Sequence, residues 1–392
     1  MNYILYDGET RNALLPFTYT RPVADIRVGI LTIREKWEKR LGLTTATLTE
    51  DYLGDKYPMI ELEANIMINA SFVPTSDLVD KVKALKENEV IVFGEVVVAF
   101  YATDTQENEN FDEYVKVLYE GELMQLKNTW DIFSFNYAAI REDFEFLTEG
   151  RKSADIPDTV TCFNKQDIFV EEGVELTVAI LNATQGPIYI GKDAVVLENA
   201  AIRGPFALGD KGVIKMGAKI YGGTTIGPNC KIGGEVNNSV MFANSNKGHD
   251  GYLGNAVIGE WCNLGADTNN SNLKNNYLEV RMWSYETERF AKTGLQFCGL
   301  MMGDHSKCGI NTMFNTGTVI GVSANIFGAG FPRNFVPSFA WGGSAGFTTF
   351  KMNKVNEVAS AVMDRKGFEF DDHEEAILNH VFEITDKYRN FQ

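Results

Sequence analysis

Basic residues are scarce in this sequence, in which 36 Lys and Arg stand against 53 Asp and Glu, for a formal net charge of −17. Proteins that bind nucleic acids need clustered Lys and Arg to neutralise the phosphate backbone. The deficit therefore argues against nucleic acid as a partner. One basic pocket for a small anionic molecule is still compatible with an acidic surface.

Long apolar stretches are also missing, since no run approaches the length of about 18 residues that a membrane span requires. We therefore expect neither a membrane span nor a membrane partner. Residues 1–7 show no basic segment and no cleavage site, so no secretory signal is predicted. The five cysteines form no CxxC pair, which favours reduced thiols and a cytoplasmic location.

What the sequence does contain is a repeat with a period of six residues. Its longest unbroken run is Ile190, Val196, Ile202, Leu208, Ile214, Ile220, Ile226 and Ile232. The same spacing resumes at Ile258 and again from Met302 to Ile326. A period of six fits neither an amphipathic helix nor a half-buried strand. It predicts a left-handed parallel β-helix whose coils hold the aliphatic residues inside.

The flanking segments have other patterns. Residues 1–160 alternate apolar runs with helical patterns, such as Thr32–Leu41, and predict a Rossmann-like α/β domain. Residues 161–345 are assigned to the β-helix and residues 346–392 to a helical tail. The apolar stripe predicted for this tail consists of Ile377, Leu378, Val381, Phe382 and Ile384. A polar stretch over residues 149–158 is the candidate linker.

One constellation is more specific than the repeat itself. It consists of a G-H-x-x-Y-L-G segment at residues 248–254, an N-L-G-A-x-T segment at residues 263–268, and Asn272. Residues 185–335 thereby resemble the acetyltransferase half of the bifunctional UDP-N-acetylglucosamine pyrophosphorylase/glucosamine-1-phosphate N-acetyltransferases. They also resemble archaeal-type sugar-1-phosphate nucleotidylyltransferases that acetylate amino sugars.

This resemblance implies acetyl transfer from acetyl-CoA to glucosamine-1-phosphate or a similar amino-sugar 1-phosphate. His249 falls at the family's general base, and an imidazole suits proton removal from an attacking amine near neutral pH. The implied substrate-binding residues are Lys215, Asn237, Tyr252 and Asn263. The implied acetyl-CoA contacts are Ala266, Asn272, Leu273, Ile310 and Gly328.

Two positions depart from the family, because Asn237 replaces a Lys and Leu273 replaces a Tyr. Lys247, Lys274 or the loop ejected between residues 268 and 297 would have to supply the missing positive charge. Family members use such a loop to reach a neighbouring subunit, and their sites lie between subunits. A homotrimer is therefore expected.

A second resemblance lies near the N-terminus. Residues 8–23, GETRNALLPFTYTRPV, resemble an eroded sugar nucleotidyltransferase signature, whose Gly-rich turn cradles nucleotide phosphates. It implies Gly8, Arg11 and Arg21 as nucleotide-binding residues, with Mg²⁺ and UTP or dTTP if the domain is active. Val23 and Ser71 stand where the family has a Lys and a metal-binding Asp. The metal ligands are thus unknown, and weak nucleotidyl transfer or none is expected.

Together the two segments resemble a divergent Bacteroidetes-type branch of the bifunctional family, which implies UDP-N-acetylglucosamine synthesis when both halves work. Two alternatives stay open. One is a sugar-1-phosphate nucleotidyltransferase alone, of the glucose-1-phosphate thymidylyltransferase type. The other is a non-catalytic regulatory or scaffold subunit. His249 and its companions favour the acetyltransferase, for which His305 is the rival general base.

Overall fold

The protein is described by a computed structural model over residues 1–102 and 111–391. Its N-terminal part is a six-stranded sheet in the order β2-β1-β3-β5-β4-β6. The strands are β1 (Asn2–Tyr6), β2 (Ala46–Leu48), β3 (Asn65–Asn69), β4 (Glu89–Phe93), β5 (Val96–Ala102) and β6 (Val115–Leu118). Strand β5 runs antiparallel to both of its neighbours, and the other pairings are parallel. With the helices that accompany it, this sheet confirms the predicted α/β domain.

Three helices belong to this domain: α1 (Ile33–Leu41), α2 (Ser76–Lys83) and α3 (Asp131–Thr148). The predicted start of α1 is confirmed, because Thr32 and Glu35 form a reciprocal capping box. Gly42 ends the helix in the left-handed conformation with φ 79°, which glycine adopts without strain.

The repeat region forms the predicted parallel β-helix, with three walls of short stacked strands. Wall 1 consists of Thr161–Phe163, Ala179–Asn182, Ala200–Arg203, Lys219–Ile220, Glu235–Asn237 and Tyr252–Gly254, followed by the separate pair Asn269–Asn270 and Met313–Phe314. Wall 2 consists of Ile168–Val170, Ile188–Ile190, Phe206–Leu208, Thr224–Ile226, Val240–Met241, Val257–Ile258, Leu300–Met302, Thr318–Ile320 and Phe335–Val336. Wall 3 consists of Glu175–Leu176, Val195–Val196, Val213–Ile214, Lys231–Ile232, Asn246–Lys247, Asn263–Leu264, Lys307–Cys308, Asn325–Ile326, Ala340–Gly343 and Gly346–Thr349.

The interior of the β-helix is aliphatic, as the spacing predicts. Every residue of the first hexad run is at most 2% exposed and belongs to one continuous core. The glycine that often follows an interior residue leaves room for the next coil. At Gly227, for example, a Cβ atom would lie 1.4 Å from the carbonyl oxygen of Phe242. Small residues at these corners thus permit the close stacking of coils.

The N-terminal domain and the β-helix share a hydrophobic core, because the outer face of wall 2 is covered by the domain. Phe17 lies against Phe242 with ring centroids 5.3 Å apart. The amide of Asn136 on α3 donates to the carbonyl oxygen of Gly223 at 2.7 Å. Helix α3 therefore attaches the domain to the coils by both apolar and polar contacts.

The C-terminal tail forms α4 (Met352–Asp364) and α5 (Asp372–Ile384). Ile377, Leu378 and Val381 are buried, as predicted. Ile384 is 41% exposed, so its assignment to the same stripe was wrong. It is the last residue of the helix and faces an open cavity that Leu15 and Tyr388 also line.

The ejected loop contains an antiparallel hairpin with strands Arg281–Ser284 and Arg289–Lys292. It does not stand free of the chain. The indole of Trp283 stacks on Phe335 at 4.2 Å, and Tyr285 meets Tyr19 of the N-terminal domain at 5.5 Å. The hairpin is therefore part of the shared core of its own chain.

All five cysteines are free thiols. None of the helices within residues 1–102 and 111–391 has the length and apolar content needed to cross a bilayer.

Candidate functional site

Four of the residues named from the sequence lie on one corner of the β-helix, between walls 3 and 1. Each lies two positions after the interior residue of its wall 3 strand, so the four occupy equivalent positions in successive coils: His249, Ala266, Ile310 and Gly328. We call these four residues the His249 edge. Neighbouring coils are about 4.8 Å apart, so the edge extends over about 14 Å.

The His249 edge is open. His249 is exposed, and its side chain has no hydrogen-bond partner among the described residues. Ile310 is 71% exposed, and a Cβ atom at Gly328 would meet nothing within 4 Å. An exposed imidazole at the end of an open, partly apolar strip is accessible to a ligand lying along the coils.

A second group of the named residues lies on wall 1 and at its far corner. The amide of Asn272 donates to the phenol oxygen of Tyr252 at 3.0 Å and to Asn255 Oδ1 at 2.7 Å. Asn237 lies one coil before Asn255, and its carbonyl oxygen accepts a hydrogen bond from the backbone N–H of Asn255 at 3.0 Å. Leu273 forms an isolated bridge with Phe297 at the base of the ejected loop. Asn272 and Leu273 of this group are thus separated from the His249 edge by the width of wall 1.

The remaining two substrate residues lie outside the group around Tyr252. Lys215 lies on the same corner as His249 but two coils earlier, with Gly233 between them. Asn263 is exposed on wall 3, where its neighbours in the adjacent coils are Asn246 and Lys307. One chain therefore presents the named residues on two faces and two corners.

Neither lysine named as a replacement for the missing family Lys is free to act as one. Lys247 lies inside the β-helix, where its ammonium group donates to backbone carbonyl oxygens. Lys274 donates to the carbonyl oxygen of Glu279 at 2.8 Å. A sequence signal for Lys247 existed, because Met241, Lys247 and Leu253 are spaced by six and share the interior phase.

The rival base His305 lies at a different corner, between walls 2 and 3. It is 6% exposed and stacks on Trp261, and its Nδ1 has no hydrogen-bond partner among the described residues. Burial lowers the pKa of His305 well below its usual value. It lines a cavity of about 330 Å³ between the N-terminal domain and the β-helix, on the opposite side of wall 3 from the His249 edge.

In the N-terminal signature, Gly8 has φ 63° and a Cβ atom there would lie 3.1 Å from the Asn69 amide. The backbone conformation of this turn therefore requires glycine at position 8. Arg11 is 7% exposed and is already engaged, donating to Asp7 Oδ2 at 2.6 Å and to the carbonyl oxygen of Thr18 at 2.5 Å. Burial raises the pKa of the Asp7 carboxyl, although Arg11 beside it lowers the pKa.

Arg21 is engaged with the β-helix instead of the glycine turn. Its guanidinium pairs with Glu260 at 2.9 Å and with Asp304, and it is 5% exposed. Sequence reasoning missed this role, because the two carboxylates are more than 200 positions away along the chain. Its nucleotide-binding role stays a prediction and is not supported by these contacts.

The residues present do not fit a magnesium site. Ser71 is fully buried, and its hydroxyl donates to Asn69 Oδ1 at 2.7 Å. Val23 is also fully buried, and its backbone N–H bonds Asp7 Oδ1 at 2.6 Å. Among the described residues, no group of three or more His, Cys, Asp or Glu could hold a metal ion.

Comparison with known proteins bears on each half of the chain. The solved structures it resembles include Arabidopsis UDP-N-acetylglucosamine acyltransferase, at 14% identity over 60% of this chain and 94% of that chain. The TM-score is 0.26. No curated protein sequence matches the chain. Residues 3–152 match the family model described as sugar nucleotidyl transferase. The part of the chain that precedes the β-helix is therefore similar to the sugar nucleotidyl transferases.

Proposed function

We propose that the β-helix transfers an acetyl group from acetyl-CoA to the amine of an amino-sugar 1-phosphate, with glucosamine-1-phosphate as the expected substrate. The observation that supports this most is the alignment of His249 with Ala266, Ile310 and Gly328 along one open corner. The family resemblance names the same four residues as general base and acetyl-CoA contacts. The coarser role, in amino-sugar nucleotide biosynthesis, is also supported by the match of residues 3–152.

In this reaction the amine nitrogen attacks the thioester carbonyl carbon, the carbon–sulfur bond breaks, and coenzyme A leaves. The imidazole of His249 accepts the proton that the amine loses as the new bond forms. Because no side chain or backbone group among residues 1–102 and 111–391 bonds the imidazole, a ring nitrogen is available for that proton. Ile310 and Gly328 supply an apolar surface and open space along the same edge.

The site of the proposal is composite. Asn272 and Leu273 lie at the far corner of wall 1 from the His249 edge, and we propose that a second subunit brings its copy of one group to the other. Exposed apolar side chains on and beside the edge favour such a contact; they include Ile310 at 71%, Met216 at 66% and Phe327 at 42% exposure. We therefore propose a homotrimer with one acetyl site at each junction between β-helices.

The test is His249→Ala beside His305→Ala, with acetyl-CoA consumption followed at saturating glucosamine-1-phosphate. We expect His249→Ala to lose about 10²- to 10⁴-fold in turnover and to keep its thermal stability, since the residue is exposed. His305→Ala should keep turnover, because the residue lies at another corner. Wild-type turnover in His249→Ala would contradict the mechanism. Failure of the wild type on every amino-sugar 1-phosphate would favour the scaffold alternative.

A second candidate function is nucleotidyl transfer by the N-terminal domain, favoured by the match of residues 3–152. Uridylyl transfer would complete the synthesis of UDP-N-acetylglucosamine. The contacts of this chain argue for weak activity or none, because Arg11 is internally paired and Val23 and Ser71 are uncharged and buried. Glucose-1-phosphate with dTTP is the substrate pair of the alternative type.

A further inference from the structure

Lys247 is an unusual residue for the interior of a β-helix. It occupies the interior position of wall 3 that aliphatic residues and a cysteine fill in the other coils near it, such as Ile214, Ile232 and Cys308. Its side chain is 0% exposed. Among the described residues no carboxylate forms an ion pair with it. A buried ammonium group is costly unless it is hydrogen-bonded, so its contacts identify what it does.

The Lys247 ammonium group makes three hydrogen bonds to the described residues, all to backbone carbonyl oxygens at one corner. The ammonium group donates to His249 at 2.9 Å, to Asp250 at 3.2 Å and to Gly233 of the preceding coil at 3.4 Å. The first two acceptors are the carbonyls of the proposed general base and of its neighbour. Lys247 therefore binds the backbone of the exposed corner at His249 from the interior of the β-helix.

The equivalent corners of the next two coils are held in another way. The hydroxyl of Thr268 donates to the carbonyl oxygen of Gly265 at 2.7 Å, and that of Thr312 donates to Gly309 at 2.8 Å. In the His249 coil the position of these threonines is occupied by Gly251, which has no side chain. Two glycines flank the His249–Asp250 pair, and glycine has the greatest backbone freedom. At this corner Lys247 supplies the side-chain hydrogen bonds instead, and they go to the carbonyl oxygens of residues 249 and 250.

We infer that Lys247 is a positioning residue for acetyl transfer, which holds the backbone of residues 249–250 so that the His249 imidazole meets the substrate amine. The inference rests on the proposed function of His249. Burial lowers the pKa of Lys247 to about 8, and the ionisable groups that act on it are Asp250, Cys308 and Asp267. The ammonium nevertheless stays mostly charged at neutral pH, with all three of its donors available.

The experiment compares Lys247→Met with Ile232→Met, which places the same side chain one coil earlier in the same interior column. Met suits the aliphatic interior, so both variants should fold. We expect Lys247→Met to lose about 10- to 100-fold in kcat, with KM changed by less than about 2-fold, because small misplacements of a catalytic group have effects of this size. Ile232→Met should keep kcat. Lys247→Gln retains an N–H donor, so its kcat should lie between those of Lys247→Met and Ile232→Met. It replaces Lys247→Met in the comparison if that variant does not fold.

Two further readouts separate positioning from general destabilisation. Amide hydrogen exchange over residues 248–251 should accelerate in Lys247→Met while the rest of the β-helix is unchanged. In a His249→Ala background, Lys247→Met should cause no further loss, since it acts only through His249. An additional loss in that background, or unchanged kcat and exchange in the single variant, would overturn the inference. An inactive wild type would instead overturn the proposed function.

Discussion

The contact between the N-terminal domain and the β-helix depends on a buried cluster of charges around Arg21. Asp304, which is 3% exposed, also accepts from the hydroxyl of Thr20 at 2.7 Å and from the backbone N–H of Glu260 at 2.8 Å. We predict that Arg21→Met, which preserves side-chain bulk and removes the charge, destabilises this contact strongly. The reason is that the buried carboxylate of Asp304 would lose its ion-pair partner, and the partly buried carboxylate of Glu260 would lose one of its cations.

The magnitude follows from that burial. Removing one partner of a buried ion pair costs about 3–5 kcal/mol. A suitable control is Arg151→Met, which breaks an ion pair with Glu171 at 2.7 Å whose arginine side chain is 46% exposed. An exposed pair contributes about 0–1 kcal/mol. The two variants should therefore differ by at least about 2 kcal/mol.

The loss in Arg21→Met should also depend on pH. Burial would raise the pKa of Glu260, but Arg21 lowers it below its usual value. Burial raises the pKa of Asp304 although Arg21 lowers it. Without the guanidinium both pKa values rise, so the folded variant binds more protons than the unfolded chain as the pH falls. Its deficit against wild type should shrink from pH 7 toward about pH 5.

The measurement is equilibrium urea unfolding of wild type and both variants at the two pH values, with hydrogen exchange of residues 20–28 and 258–262 to identify the contact that opens. A midpoint for Arg21→Met equal to that of Arg151→Met would refute the reasoning. So would a deficit that grows as the pH falls.

Three other predictions concern the two halves of the chain. Pyrophosphate release from UTP or dTTP with hexose 1-phosphates should be weak or absent, and turnover of about 10 s⁻¹ would contradict this. Light scattering should give a trimer, and a monodisperse monomer would count against the composite site. The pKa of Lys247 is lowered by burial from 10.5 to about 8, so the unfolded chain binds more protons between these values. The difference in denaturant midpoint between wild type and Lys247→Met should therefore shift in favour of wild type from pH 8 to 10.5.

Much of the candidate site could be named from the sequence, but its arrangement could not. The spacing of His249, Tyr252, Asn263 and Asn272 carries the family resemblance. Which of them lie together depends on the number of residues at each corner. The coil between Gly233 and Gly248 is shorter than its predecessor, and the hexad phase breaks there. Because of this break, the sequence alone does not show which residues of neighbouring coils lie side by side.

The sequence by itself determined the β-helix, because an aliphatic residue every six positions is a local pattern that each coil repeats. It also determined α1, whose capping box and terminal glycine lie within a dozen residues. Only the tertiary structure decided that Arg21 pairs with Asp304 and Glu260 and that the hairpin packs on its own chain. These contacts join residues from different coils and domains, and their energies depend on burial, which no local pattern records.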